Sequence, residues 1–247
     1  MTRTCFLAIS ILSISAYAET GATPDWTGYY MLARDRDAAG LNIISPDFSK
    51  TIADHLQPWA KLKMEETNGI ADDTGAVCQP AGILRVPGTP FSGNFLFLPH
   101  GDKIVMAFYQ NVTSRARRIY LNRQHPKNVP PTWNGHSIGH WEGDTLVVDT
   151  IGFNDKSWLS SDMAPHTEET HLMERMRQIQ HNGSTYIEIV GTVEDRHALT
   201  SAYTYSRYYK KQPQEMPVII CADDIEMWKE WRNEQLKKIN ERAHEVK

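Results

Sequence analysis

From Asn94 onward, turn-forming residues interrupt the chain at short, regular intervals, and this punctuation restricts its fold more than any other feature. The runs 94–98, 103–110, 116–122, 136–141, 145–151, 171–179, 185–194 and 201–209 all read as extended, and tight turns join several of them: His100-Gly101-Asp102, Glu142-Gly143-Asp144 and His181-Asn182-Gly183. Regular spacing of this kind predicts an antiparallel barrel or sandwich. A further run from Asp25 to Leu32 supplies a first strand, with Trp26 and Gly28 placed to close one end of a barrel. Such a strand count suits a barrel just wide enough to hold one small ligand. The predicted fold is all-β, an antiparallel up-and-down barrel.

The most distinctive turn lies within the stretch from Trp133 to Trp158. Gly143 with acidic neighbours supplies the positive φ that a tight turn needs, so 136–141 and 145–151 form a β-hairpin. Side chains alternate across a strand: His136, Ile138 and His140 point together, and Asp149 shares a face with Val147 and Ile151. Imidazoles and a carboxylate on such strands suit a polar pocket inside a barrel, and they equally suit a hairpin at the surface. A register shift of one residue would exchange the inward and outward sets.

Two other segments read as helical. Ser45-Pro46-Asp47 opens the first, where Phe48, Ile52, Leu56, Trp59 and Leu62 recur at helical spacing as a core-facing stripe that Pro58 divides into two helices. The stretch 68–90, rich in Gly, Pro and Asp, reads as a long ordered loop. The last segment, 223–247, reads as a surface helix packed on the barrel, with Asp223 and Asp224 at its N-terminus and Ile225, Trp228, Leu236 and Ile239 set against charged faces.

At the other end of the chain, Arg3 precedes an apolar run and Ala16-Tyr17-Ala18 supplies the small-x-small pattern of signal-peptidase cleavage. The expected organisation is a signal peptide over 1–18 and one domain over 19–247, exported to a periplasm or the medium. No later run approaches the ~20 apolar residues needed to span a bilayer. Removing the segment takes away Arg3 and no acid, so Lys+Arg falls from 26 to 25 against 30 Asp+Glu, a formal charge of −5. That balance argues against nucleic acid as a partner. Cys78 and Cys221 remain, and in an oxidising compartment they are expected to form a disulfide closing a very long loop, worth about 4–5 kcal/mol on chain-entropy grounds. Two reduced, buried thiols are the alternative.

Several strings along the chain resemble a large family of exported bacterial proteins of unassigned activity. They are Pro58-Trp-Ala-Lys, Cys78-x-Pro-x-Gly, Arg118-Ile-Tyr, His125-Pro, the run from Gly135 to Thr150 with Gly152-Phe-Asn, Pro165-His, and His171-x-x-Glu174-Arg175. The likeness covers nearly the whole chain after the signal and implies common descent and a barrel-like fold, leaving activity open. Around the C-terminal cysteine the chain departs from the family pattern, since Ala222-Asp223-Asp224 follows Cys221. More loosely, Trp26-x-Gly28 is similar to the opening strand of lipocalin-like barrels with the order reversed.

The histidines raise a metal reading first. His166 and His171 are five residues apart, one too many for H-E-x-x-H, and His136 and His140 lie ~13 Å apart along one strand face, too far for one ion. A metal site would need single ligands from separate strands, and none is assigned. Acid–base chemistry fits better. If the face carrying Leu172, Glu174 and Met176 lines the interior, Glu174 is a carboxyl among apolar side chains and a candidate general acid or base. The bland alternative is a structural Glu–Arg pair across strands, with Arg118 or another cation as the partner. Arg118 and Tyr120 share a face suited to holding an oxyanion, while Arg115 and Arg117 read as solvated. The loop 152–165 is of the length of a lid or binding loop, with Phe153, Asn154 and Trp158 on it and His166 at its end.

These residues predict an exported enzyme acting on a small apolar or aromatic molecule without a cofactor, as a lyase, isomerase or cyclase. Glu174 or Asp149 would move a proton, with His140, His136 or His166 as partner. Arg118 and Tyr120 would hold a developing oxyanion, and His136, Asn154, Trp158 and Phe153 would bind substrate. A periplasmic carrier of an apolar ligand and a metal-dependent hydrolase are the alternatives.

Overall fold

Every extended run becomes a strand: β1 (Gly28–Leu32), β2 (Phe95–His100), β3 (Lys103–Phe108), β4 (Ala116–Leu121), β5 (His136–Glu142), β6 (Thr145–Ile151), β7 (His171–His181), β8 (Ser184–Glu194) and β9 (Tyr203–Gln212). The structure, a computed structural model, describes residues 24–217 apart from 34–36, 45–46, 70–71, 75–78, 86–93 and 109–115, together with 230, 233, 234 and 236–238. The expected signal peptide, the Cys78–Cys221 bridge and Arg115 lie outside the described residues, as does most of the expected C-terminal helix, of which 230, 233, 234 and 236–238 are helical.

The nine strands pair in sequence order and β9 pairs with β1, closing a barrel. Here the structure corrects the purely antiparallel expectation. A closed ring whose neighbours all alternate in direction needs an even number of strands, so nine require a parallel pair. That pair is β4–β5, with Ile119 opposite Ser137 and Tyr120 opposite Ile138. Parallel neighbours cannot be joined by a tight turn, because the chain must travel back the full strand length before starting again. The connection 122–135 does so across the outside of the barrel. Two-residue turns join β2 to β3, β5 to β6 and β7 to β8. Asn182 and Gly183 both take positive φ, 48° and 72°, as a turn matched to strand twist requires.

Inside, Phe95, Phe97, Ile104, Met106, Ile119, Leu146, Val148, Leu172, Met176, Ile187 and Tyr205 are all within 6 % of complete burial. Trp26 caps one end, edge-on to Trp141 at 4.8 Å and tilted against Phe97 at 5.5 Å. The opposite end is plugged by α1 (Phe48–Ile52), by α3 (Gly82–Arg85) and by loop 152–170. Phe48 meets Tyr203 and Tyr205 edge-on, and Leu84, Phe153, Leu159 and Ala164 join the same core. Pro58 stands at the first turn of α2 (Pro58–Glu66), where its missing N–H costs nothing, so the predicted division into two helices holds. The predicted stripe holds at Phe48, Ile52 and Leu56, which are buried, and fails in α2, where Trp59 is 44 % and Leu62 55 % exposed and Ala60 is the buried residue. The stretch read wholly as loop also contains α3, held by a two-pronged ion pair from Arg85 to Asp73 at 2.6 and 3.1 Å.

Gly191 on β8 leaves the space that the Tyr205 ring fills; a Cβ there would lie inside the ring's contact distance. Gly191→Ala is therefore expected to destabilise the barrel by roughly 1–3 kcal/mol in urea unfolding. The double variant with Tyr205→Leu should lose less than the sum of the two single losses, and additive losses would remove this packing account.

Candidate functional site

Glu174 points inward, as the apolar pattern of its strand predicts, and is 5 % exposed. Its partner is Arg117, 3 % exposed, bonded through Nη2 to Glu174 Oε2. Arg117 also donates to Ser137 Oγ from Nε at 3.0 Å and to Thr150 Oγ1 from Nη2 at 2.9 Å. Three strands thus supply acceptors for Nε and Nη2 of one buried guanidinium. This corrects the sequence assignment of the arginines: Arg117 alternates with Ile119 and Leu121 on the inner face, while Arg118 is exposed on the outer face with Tyr120. Beside the pair, Arg207, Tyr205, Tyr209 and Ile83 help enclose a cavity of only ≈ 20 Å³, room for about one water. Burial and the Glu174 charge push the Tyr205 phenol well up, so Tyr205 stays protonated.

His166 also turns inward, at the plugged end. Its Nε2 lies 2.8 Å from Ser157 Oγ, and its Nδ1 faces Thr167 O at 3.1 Å and Thr170 Oγ1 at 3.2 Å. Thr170 donates onward to Asp195 Oδ2 at 2.8 Å, the carboxylate that caps the turn at 195–199 through the amides of His197 and Ala198. Burial holds the imidazole below its ordinary range, and the nearby Asp195 only partly offsets this. Phe153 is fully buried with its ring edge-on to His166 at 6.4 Å. Asn154 is buried with its Oδ1 accepting from Lys156 N, and Trp158 donates to Asp72 O at 3.3 Å. The loop expected to be a lid is a packed plug: Leu159, Met163 and Ala164 are no more than 2 % exposed.

The remaining candidates meet on the outside. Ile138, His140, Val147, Asp149 and Met173 line a groove of ≈ 300 Å³, whose far wall is Asn122 and Arg123 at the start of the crossover. Ladder register puts Tyr120, Ile138, Asp149 and Met173 in one row across β4–β7. Asp149 Oδ1 receives His171 Nε2 at 2.8 Å and faces His125 Nε2 at 3.5 Å. Its Oδ2 has no hydrogen-bond partner among the described residues, and Asp149 is 36 % exposed. His125 Nδ1 lies 2.9 Å from His136 Nδ1, and the His136 ring stacks on Tyr120 with centroids 5.2 Å apart. Burial, with His125 alongside, holds His136 below the usual histidine range. At the groove's other end His140 leans on Glu142 at 3.1 Å, and Glu142 also accepts from Arg175 at 2.9 Å.

The expected residues therefore fall into three groups. His140 and Asp149 line the groove, with His136 and Tyr120 beside it through His125; Glu174 lies within the barrel; His166, Phe153, Asn154 and Trp158 belong to the end plug. Arg118 is brought to none of these through a described contact. His125 and His171, which sequence reasoning passed over, complete the outer cluster. His171 was legible from parity, since it shares the outward face of β7 with Met173, whereas His125 depends on where the crossover runs. Among the described residues no group of three or more His, Cys, Asp or Glu side chains is arranged to hold a metal ion. No family model matches the chain, and no curated protein matches it.

Two predictions follow from the buried groups. Arg117→Met strands a carboxylate in the core and should cost about 3–5 kcal/mol, much of which Arg117→Met/Glu174→Met should recover. Chemical unfolding checks this, and a double variant no better than the single one would refute it. His166 and His136 titrate near ~6.5 when unfolded but resist protonation when folded. Above that pH both states hold them neutral; below it the unfolded chain binds protons that the fold refuses, so stability must fall. The unfolding midpoint is expected to decline from pH 6.5 to 5, with a shallower decline in His166→Gln.

Proposed function

We propose that the chain is an exported enzyme that moves a proton on a small, largely apolar molecule held in the outer groove, by acid–base chemistry without a redox cofactor. The observation that carries this reading is Asp149. One carboxylate oxygen is fixed by His171 and faced by His125, the other is partnerless among the described residues, and Asp149 lines the groove. A base held in this way is oriented yet accessible, as proton abstraction demands. Ile138, Val147 and Met173 offer an apolar floor to a ring or alkyl chain. Tyr120 with His136 at one side, and His140 at the other, can return a proton or donate to a developing oxyanion. Lyase or isomerase chemistry needs no more than this.

Glu174 takes a structural role in this reading, since its charge is already matched by Arg117 and the adjoining cavity admits about one water. The same volume weighs against a carrier with its ligand beside that pair, because ligand pockets run to ~300–1,000 Å³. His166 likewise serves the plug. Export through the N-terminal segment and the Cys78–Cys221 disulfide are part of the proposal, as is membership of the exported family that the central hairpin resembles.

The test uses phenolic and enolisable aromatic compounds incubated with the protein in D₂O, with deuterium incorporation followed by NMR. At least one compound should exchange faster with protein than without. Asp149→Asn should lower that rate by about 10²–10⁴-fold, and Glu174→Gln, if folded, should leave it within a few-fold. The reverse ranking would return the chemistry to the barrel interior.

A further inference from the structure

The crossover that walls the groove is anchored near both ends by the main chain. Asn122 N donates to Gly139 O at 2.7 Å, Thr132 N donates to Gly152 O at 3.0 Å, and Asn154 N donates to Thr132 O at 2.8 Å. Between them, residues 124–131 make one described hydrogen bond, from His125 to His136. Gln124, Pro126, Lys127 and Asn128 around it are exposed. The neighbouring Arg123 is occupied by Asp102 at the β2–β3 turn.

A hydrogen bond between two Nδ1 atoms needs one proton on the line between them. With His125 as donor and His136 as acceptor, or the reverse, the contact at 2.9 Å is satisfied. When both rings are protonated to imidazolium, neither Nδ1 can accept, two N–H groups and two positive rings confront each other, and the contact cannot persist. The surroundings make this sharp. His125 faces Asp149, which also holds His171, and Glu194 lies 3.6 Å beyond His171. His136 faces only the Tyr120 ring and His125 itself. An imidazolium at His125 thus has a carboxylate to face, whereas one at His136 has none among these contacts.

We propose that the His125–His136 pair is a proton-operated clasp that keeps the crossover closed over the groove at neutral pH and releases its middle, 124–128, in acid. As regulation of the site this rests on the functional reading above; as a structural device it stands apart from it. Burial already disfavours a charged His136, so release belongs to the acid side of neutrality.

The experiment is ¹⁵N NMR of the full-length exported chain from pH 8 to pH 5. It reads the heteronuclear NOE of the Gln124, Lys127 and Asn128 amides alongside the ring-nitrogen shifts of His125 and His136. The NOE should fall with a midpoint matching the His136 ring. In His136→Phe, which keeps a ring on Tyr120, it should be low at every pH; His125→Leu, severing the clasp from the crossover side, should behave alike. A flat NOE while His136 titrates, or an unchanged pH-dependent fall in either variant, would overturn the clasp. A titrating clasp in a protein that exchanges no deuterium would leave the clasp and dismiss the enzyme; a flat crossover in an active protein would do the opposite.

Discussion

Nine strands cannot close a ring by alternation, and the rest of this molecule follows from how that constraint is met. One pair must run parallel, and β4–β5 is that pair. The return path between them has to cross the wall of the barrel, so an otherwise plain outer sheet surface acquires a second side. Asn122 and Arg123 become the bank of a groove, and His125 is delivered onto Asp149 and His136, residues on strands it is not hydrogen-bonded to in any ladder. An even-stranded barrel with tight turns throughout would have left Asp149 on an open sheet face.

The interior complements this arrangement by being full. Two of its charges, Arg117 and Glu174, neutralise each other, and Ser137 and Thr150 each accept from the same guanidinium. A buried, hydrogen-bonded ion pair holds strands in register, because sliding any of them would orphan a charge. β4, β5, β6 and β7 all contribute to it, and these same four strands carry on their outer faces the row from Tyr120 to Met173. Rigidity inside thus fixes geometry outside, the condition under which a base such as Asp149 can be held ready.

Much of this was legible in the sequence. Turn chemistry and period-two alternation gave the strands within a few residues of their observed limits, including the Gly143 hairpin, and grouped Glu174 with Leu172 and Met176 on the face that proves to be the inner one. The shortfalls were of two physical kinds. Arg117 was assigned to solvent because charges are rarely buried alone, yet its neighbours Ile119 and Leu121 mark the inner face, and its acceptors come from residues 20 to 57 positions away in sequence. The outer cluster is legible in part, as His136, His140, Asp149 and Tyr120, with inside and outside left open. No local pattern distinguishes a polar pocket inside a barrel from one outside. The decisive clue was an odd strand count beside a gap from Asn122 to Gly135 too long for a turn, and it is topological rather than local.

We propose that ligands meet this protein on its outer wall and not within its barrel. Methyl NMR with p-cresol, an apolar ring bearing one ionisable hydroxyl, tests it directly. Titration should shift the methyls of Ile138, Val147 and Met173 along the groove while those of Met106, Met176 and Ile189 in the interior stay in place. Shifts confined to the interior set would contradict the account and return the site to the barrel.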